Sequence, residues 1–240
     1  MFAPLCVALV TSACDDASTP AAVAEDVATQ DFYPEEVQVG ADIDNGDNGG
    51  NGVVAPVEPR WPEGPYGIGY MDVIANESFF DPFTGETVRL SDYYADPAVN
   101  GIVIVSAAGW CSACSYESWD LVEAMDKYRD DGLVILYTLY EDTRGRPLWE
   151  DGASYEVLDR DMTFMTDYRE NLGGMVNLTP RVANFPVLID IGFTLSRYFH
   201  RNATPLTIIL RASDMRIVYK EVGYSSGTVD LMIKSTLFSK

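Results

Sequence analysis

Two uninterrupted apolar runs dominate the pattern of hydrophobic and polar positions along this 240-residue chain: Ile102-Val103-Ile104-Val105, and Leu133-Val134-Ile135-Leu136-Tyr137-Thr138-Leu139-Tyr140. Neither alternates, so both read as strands buried on two faces, the pattern of a sheet covered by helices on each side. Between them Trp119, Leu121, Val122, Met125 and Tyr128 recur at helical spacing, and Gly132 closes that helix. The pattern therefore predicts a strand over 101–106, a helix to about Arg129 and a second strand over 133–140.

Weaker signals frame this centre. Ser78 to Pro82 and Phe83 to Leu90 read as a hairpin turning near Thr84-Gly85, with Ser91 as N-cap of a short helical turn through Tyr94. Met162, Met165, Tyr168, Arg169 and Leu172 predict an amphipathic helix ending at Gly173-Gly174, the methionines serving as core packing and not as metal ligands. Pro186 to Asp190 is a third strand and Thr194 to Phe199 a short helix. Leu206 to Leu210 and Arg216 to Val222 form an antiparallel pair, and a last helix capped by Ser226 or Thr228 runs through Leu237. The order is a hairpin, then βαβαβα, then ββα, with folded structure beginning at Trp61.

Composition separates the chain into parts. Of its 37 acidic side chains, set against 16 basic ones, eleven precede residue 61, where Arg60 is the only base. This balance argues against nucleic-acid and anionic-lipid partners. Residues 15–60 are rich in Ala, Asp, Gly and Val and poor in aromatics, and are expected to be a disordered acidic linker. A calcium-loop reading of Asp42 to Val53 fails in register, with Gly46 fifth and Val53 twelfth. Residues 2–10 form an apolar run too short to span a bilayer, as in an export signal. The following Thr11-Ser12-Ala13-Cys14 resembles the lipobox of bacterial lipoproteins, which implies lipidation at Cys14 and membrane association through that N-terminal anchor alone. The expected organisation is thus a signal-like segment at 1–14, a linker at 15–60 and one domain at 61–240.

If Cys6 and Cys14 belong to that processed segment, Cys111 and Cys114 are the only free pair, which suits an oxidising compartment. They stand in Gly109-Trp110-Cys111-Ser112-Ala113-Cys114, where the first buried strand gives way to the helix. A helix N-terminus presents unpaired N–H groups and partial positive charge to the first sulfur and favours its thiolate. The thiolate attacks disulfides, and a cysteine three residues on can resolve the mixed disulfide. Other readings are weaker. Zinc needs about four ligands, and only His200 is available besides the pair. A purely structural bridge over so short a loop stabilises little. A peroxidatic site would need Thr where Ala108 stands.

The hairpin with Val88-Arg89-Leu90-Ser91-Asp92, Trp110-Cys111-x-x-Cys114, Glu117, Phe185-Pro186-Val187, Thr204-Pro205 and Arg216-Ile217-Val218-Tyr219 occur in an order that resembles the thioredoxin fold. More specifically, it is similar to the tethered TlpA/ResA-like thiol–disulfide oxidoreductases of bacterial envelopes, with the redoxin/AhpC-TSA group as neighbour. The resemblance implies an α/β domain, a mixed sheet flanked by helices with an N-terminal hairpin extension. It implies Cys111 as attacking and Cys114 as resolving thiol, Trp110 flanking the substrate face, and a cis Pro205 that turns the Thr204 backbone towards an incoming peptide. No cofactor is implied. The partners would be disulfide-containing envelope proteins and a membrane electron donor, and the location the periplasmic side of the envelope.

Departures from the pattern bear on mechanism. Val105 stands where thioredoxin has a buried Asp, so no side chain is expected to relay the proton of Cys114. Ser106 and Ala107 replace an aromatic pair, Ser115 a basic residue and Trp119 a helix-kinking Pro, and residues 143–180 are additional chain. Glu117 is read as an acid favouring the helix dipole, and His200 as a loop histidine near Thr204-Pro205. The competing functions are a thiol peroxidase, a Sco-like copper-binding module and a redox-inert module on the same fold.

Overall fold

A computed structural model describes residues 60–150 and 152–238 of the chain. The signal-like segment, the lipidation expected at Cys14, and the linker apart from Arg60 lie outside the described residues.

Seven strands form one mixed sheet: β1 (Ser78–Asp81), β2 (Glu86–Arg89), β3 (Gly101–Ala108), β4 (Leu133–Glu141), β5 (Val187–Ile189), β6 (Leu206–Arg211) and β7 (Arg216–Val222). Their order across the sheet is β2-β1-β5-β4-β3-β6-β7. β4 runs parallel to both β3 and β5, whereas β6 is antiparallel to β3 and β7 antiparallel to β6. Three α-helices among the described residues complete it: α1 (Ser112–Tyr128), α2 (Tyr155–Glu170) and α3 (Thr228–Leu237).

The unbroken apolar runs have the expected cause. All eight residues of β3 are buried, because alternate side chains enter different cores. Val103 and Val105 join Leu121, Ile135, Leu139, Met165 and Ile233. Ile102 and Ile104 join Leu90, Leu136, Leu188, Leu195 and Ile208. The layered α/β arrangement with its hairpin extension is the one implied by the motif order.

Local details differ from the sequence reading. The turn after the hairpin starts at Leu90, one residue before Ser91, since Leu90 is drawn fully into the core. Asp92 Oδ2 reaches back to the Arg89 N–H (2.7 Å), while the Ser91 N–H goes to Asn76 Oδ1 (2.9 Å). β3 continues to Ala108, two residues beyond the strand expected over 101–106. Thr194–Arg197 is a single 3-10 turn, not a helix to Phe199, with Asp190 accepting from the Thr194 and Leu195 N–H groups. Gly227, with φ of 72°, precedes α3 where Ser226 or Thr228 was expected to cap it. Gly132 ends the first helical segment with φ of 84°, as its type favours.

The additional chain builds a buttress. α2 buries Met165 in the α1-side core. Leu172 lies beyond the end of α2 and exchanges backbone hydrogen bonds with Arg181 (2.9 and 3.1 Å), closing a loop. Trp119, where the resemblance would have a helix-kinking Pro, anchors this loop to α1: its Nε1 donates to Thr179 O (3.0 Å), and the Arg181 guanidinium lies 3.5 Å from its ring centroid.

Candidate active site

β3 delivers the chain to the site and α1 leaves it. Cys111 is the N-cap of α1, with extended backbone, and its Sγ accepts from the Cys114 N–H at 3.0 Å. The sulfur thus occupies the place of a capping oxygen, within the positive end of a 17-residue helix. Cys111 and Cys114 are joined as a disulfide with Cα atoms 5.3 Å apart. Cys111 retains 6% exposure and Cys114 none, so only the first sulfur can meet a partner.

Gly109 allows this turn to be tight. A Cβ there would lie 2.6 Å from Phe164 Cζ and 2.7 Å from the Asp142 carbonyl carbon. The 143–180 chain therefore backs the turn from the α2 side.

Opposite the disulfide, the Thr204–Pro205 peptide bond is cis. The Thr204 carbonyl oxygen lies 3.8 Å from Cys111 Sγ, and Thr204 Oγ1 lies 3.5 Å from Cys114 Sγ while donating to Ser106 O at 3.0 Å. Pro205 immediately precedes β6 with no N–H to lose, and its carbonyl accepts from Gly223 N–H at 2.7 Å. Trp110, 40% exposed, donates through Nε1 to Glu141 Oε2 at 2.7 Å. The fold thus brings Trp110, Cys111, Cys114, Thr204 and Pro205 together from positions up to 95 residues apart in sequence.

Glu117 is where the sequence reading needs correction. It is 1% exposed, lies one helical turn after Cys114, and is held by the Thr207 hydroxyl. Thr207 stands beside Val105 across the β3–β6 pair. Glu117 Oε2 is buried with no hydrogen-bond partner among the described residues. Burial pushes its carboxyl up to about 8, with Glu221 and Asp120 adding to the rise and the Thr207 bond opposing it. Although Val105 cannot carry a proton, an acid is buried on α1 one turn beyond Cys114, bonded to the Thr207 that stands beside Val105. The signal was present: Glu117 is three residues from Cys114 and four from core Leu121, and so shares their face.

Two tyrosines were missed entirely. Tyr137 Oη donates to the Cys114 carbonyl at 3.1 Å and lies 2.8 Å from Tyr168 Oη of α2. Burial raises both phenols, so both remain protonated. His200 is exposed, and its Nδ1 accepts from the Asn202 N–H (3.4 Å) within its own loop. Arg146 pairs with Asp142 at 2.5 Å, whereas Arg144 is exposed.

Comparison with solved structures identifies the architecture. A Chlorobium tepidum protein described as a thiol:disulfide interchange protein DsbE aligns over 71% of this chain and 99% of its own, with a TM-score of 0.50 and 16% identity. A Bacteroides thetaiotaomicron protein described as a protein disulfide isomerase aligns over 72% and 93%, with a TM-score of 0.50 and 15% identity. No family model and no curated protein sequence matches. At these identities the likeness establishes the fold, and the domain is a thioredoxin fold.

Proposed function

We propose that this domain is a thiol–disulfide oxidoreductase in which Cys111 attacks and Cys114 resolves. The observation that carries the reading is the meeting of three features at one sulfur. Cys111 Sγ caps α1, accepts the Cys114 N–H, and faces the Thr204 carbonyl across the cis bond. The thioredoxin fold is also that of neighbours described as thiol:disulfide interchange proteins.

In the reducing direction the chemistry runs in two displacements. The Cys111 thiolate attacks one sulfur of a partner disulfide; that S–S bond breaks, and the departing partner thiolate takes up a proton. Cys114 must then lose its proton and attack Cys111 Sγ, releasing the second partner thiol and leaving the Cys111–Cys114 disulfide. Two electrons have passed to the partner, and an external dithiol restores the pair. Cys114 is sealed from water, so a neighbouring group must accept its proton. Glu117 has the placement and, near pH 8, the proton affinity for this task. Trp110 and the Thr204 backbone would line the docking groove, Thr204 offering its chain to an extended peptide.

The partners we propose are disulfide-containing proteins of the bacterial envelope, with a membrane dithiol donor. This rests on the signal-like 1–14 segment, the lipobox-like Cys14 and a single dithiol suited to an oxidising compartment. Among the described residues no helix is long and apolar enough to cross a membrane. Insulin reduction by dithiothreitol tests the activity: the wild type accelerates it and Cys111→Ser abolishes the acceleration. A rate equal to buffer, or unchanged in Cys111→Ser, sinks the reading.

A further inference from the structure

Trp110 is not simply a surface ring beside the disulfide. Glu141, the last residue of β4, holds both residues that precede Cys111. Its carbonyl accepts the Gly109 N–H at 2.8 Å, and its carboxylate accepts the Trp110 indole N–H at 2.7 Å. Glu141 is only 6% exposed, whereas the ring it grips is 40% exposed. A buried carboxylate bonded to a half-exposed indole restrains the rotation of that ring.

The strand is shaped for this contact. β3 and β4 pair in regular register from Gly101 opposite Leu133 to Ala107 opposite Leu139. The register then slips by one, and Ala108 lies opposite Glu141. The extra residue, Tyr140, moves Glu141 up beside the strand-to-helix turn, which is a common use of an irregularity next to a site. Beyond it the chain is tied off. Asp142 Oδ1 accepts from the N–H groups of Arg144 (2.8 Å) and Arg146 (3.0 Å), and the Arg146 guanidinium closes on Oδ2. Gly145 lies against the Trp110 ring, where a Cβ would meet its Cδ1 and Nε1 at 3.9 Å. The indole is therefore held on its N–H edge by one carboxylate and flanked by a braced loop.

We infer that Glu141 is a positioning residue that fixes the Trp110 indole as a rigid wall of the groove beside Cys111. It thereby sets how tightly a peptide disulfide docks, and not how fast the dithiol reacts. A ring ordered before binding need not be ordered by it, so the entropic cost of docking falls. The inference rests on the oxidoreductase reading and adds a specificity determinant to it.

The test compares wild type, Glu141→Ala, Glu141→Gln and Trp110→Phe in dithiothreitol-coupled reduction of a disulfide-containing peptide. Trp110→Phe keeps an aromatic ring but loses the N–H, and leaves β4 untouched should Glu141→Ala fail to fold. The expected result is a KM raised about five- to tenfold in Glu141→Ala and Trp110→Phe, with kcat within about twofold. Glu141→Gln, whose amide oxygen still accepts the indole N–H, stays near wild type. In wild type and Glu141→Gln the Trp110 indole N–H is slow to exchange with solvent, and in Glu141→Ala it is fast. Wild-type turnover with a KM unchanged in Trp110→Phe overturns the inference alone. Absence of wild-type turnover overturns the oxidoreductase reading and this inference with it.

Discussion

Glu117 shows how one side chain couples stability to chemistry. Burial raises its folded-state pKa from the ordinary value near 4.5 to about 8, the reverse of a salt-bridged carboxylate. Between those values the folded protein keeps a proton that the unfolded chain has released, so stability falls as pH rises through this window. The penalty is absent below about 4.5 and complete above about 8. Glu117→Gln cannot ionise and should lose this part of the decline. Urea denaturation of both oxidised proteins between pH 5 and pH 8.5 checks it, and parallel curves would show that Glu117 titrates normally. If it also takes the Cys114 proton, Glu117→Gln should slow release of the second partner thiol about 10²-fold, while the first attack by Cys111 keeps its rate. Stopped-flow thiol release separates the two steps.

The residue scale also marks the limit of sequence reading. Cys111, Cys114 and Thr204-Pro205 are legible because each advertises itself locally: a spaced thiol pair, a strand-to-helix switch, an X-Pro before an apolar run. Glu117 fits the motif order but reads as a dipole partner, because nothing local tells a buried carboxylate from a solvated one. Its environment is made by Thr207, ninety positions away in sequence. Tyr137 reads as an apolar strand residue, and only contact with α2 reveals the work of its hydroxyl.

At the scale of elements, β3, α1 and β4 are legible because eight- and nine-residue strands buried on both faces carry a strong pattern. Between Asp142 and Arg181 only α2 is legible, through the spacing of Met162, Met165 and Tyr168; the described loops on either side hold together through single side-chain anchors without periodicity. They act as a brace for α1 and for the turn at Gly109. Trp119→Ala removes the indole shared by Thr179 and Arg181, and should release the 171–181 loop at a cost of about 1–3 kcal/mol. Hydrogen exchange of the Leu172 and Arg181 amides reads this directly; unchanged protection would show that the loop is held otherwise. Gly109→Ala should destabilise by about 1–3 kcal/mol, because the new methyl meets backbone of the 142–143 segment that cannot rotate aside. A chemical denaturation curve measures it.

At the scale of the molecule, the described residues form one sheet with α1, α2 and α3 packed on one face and 3-10 turns at Leu90 and Leu195 on the other, and every group assigned to the site lies between Trp110 and Thr207. Residues 60–238, as described, hold all of these groups themselves. A chain beginning at Arg60 should therefore unfold at the temperature of the full chain and retain its thiol-exchange rate, as calorimetry and the insulin assay will report. All of this turns on whether the Cys111–Cys114 bond is an exchanging couple or an inert bridge, which one equilibrium measurement decides. Titration of the pair against glutathione, with the free thiols trapped and counted by mass, should give a midpoint between about −120 and −270 mV, the range of exchanging dithiols. A midpoint below about −300 mV, where structural disulfides lie, would contradict the account.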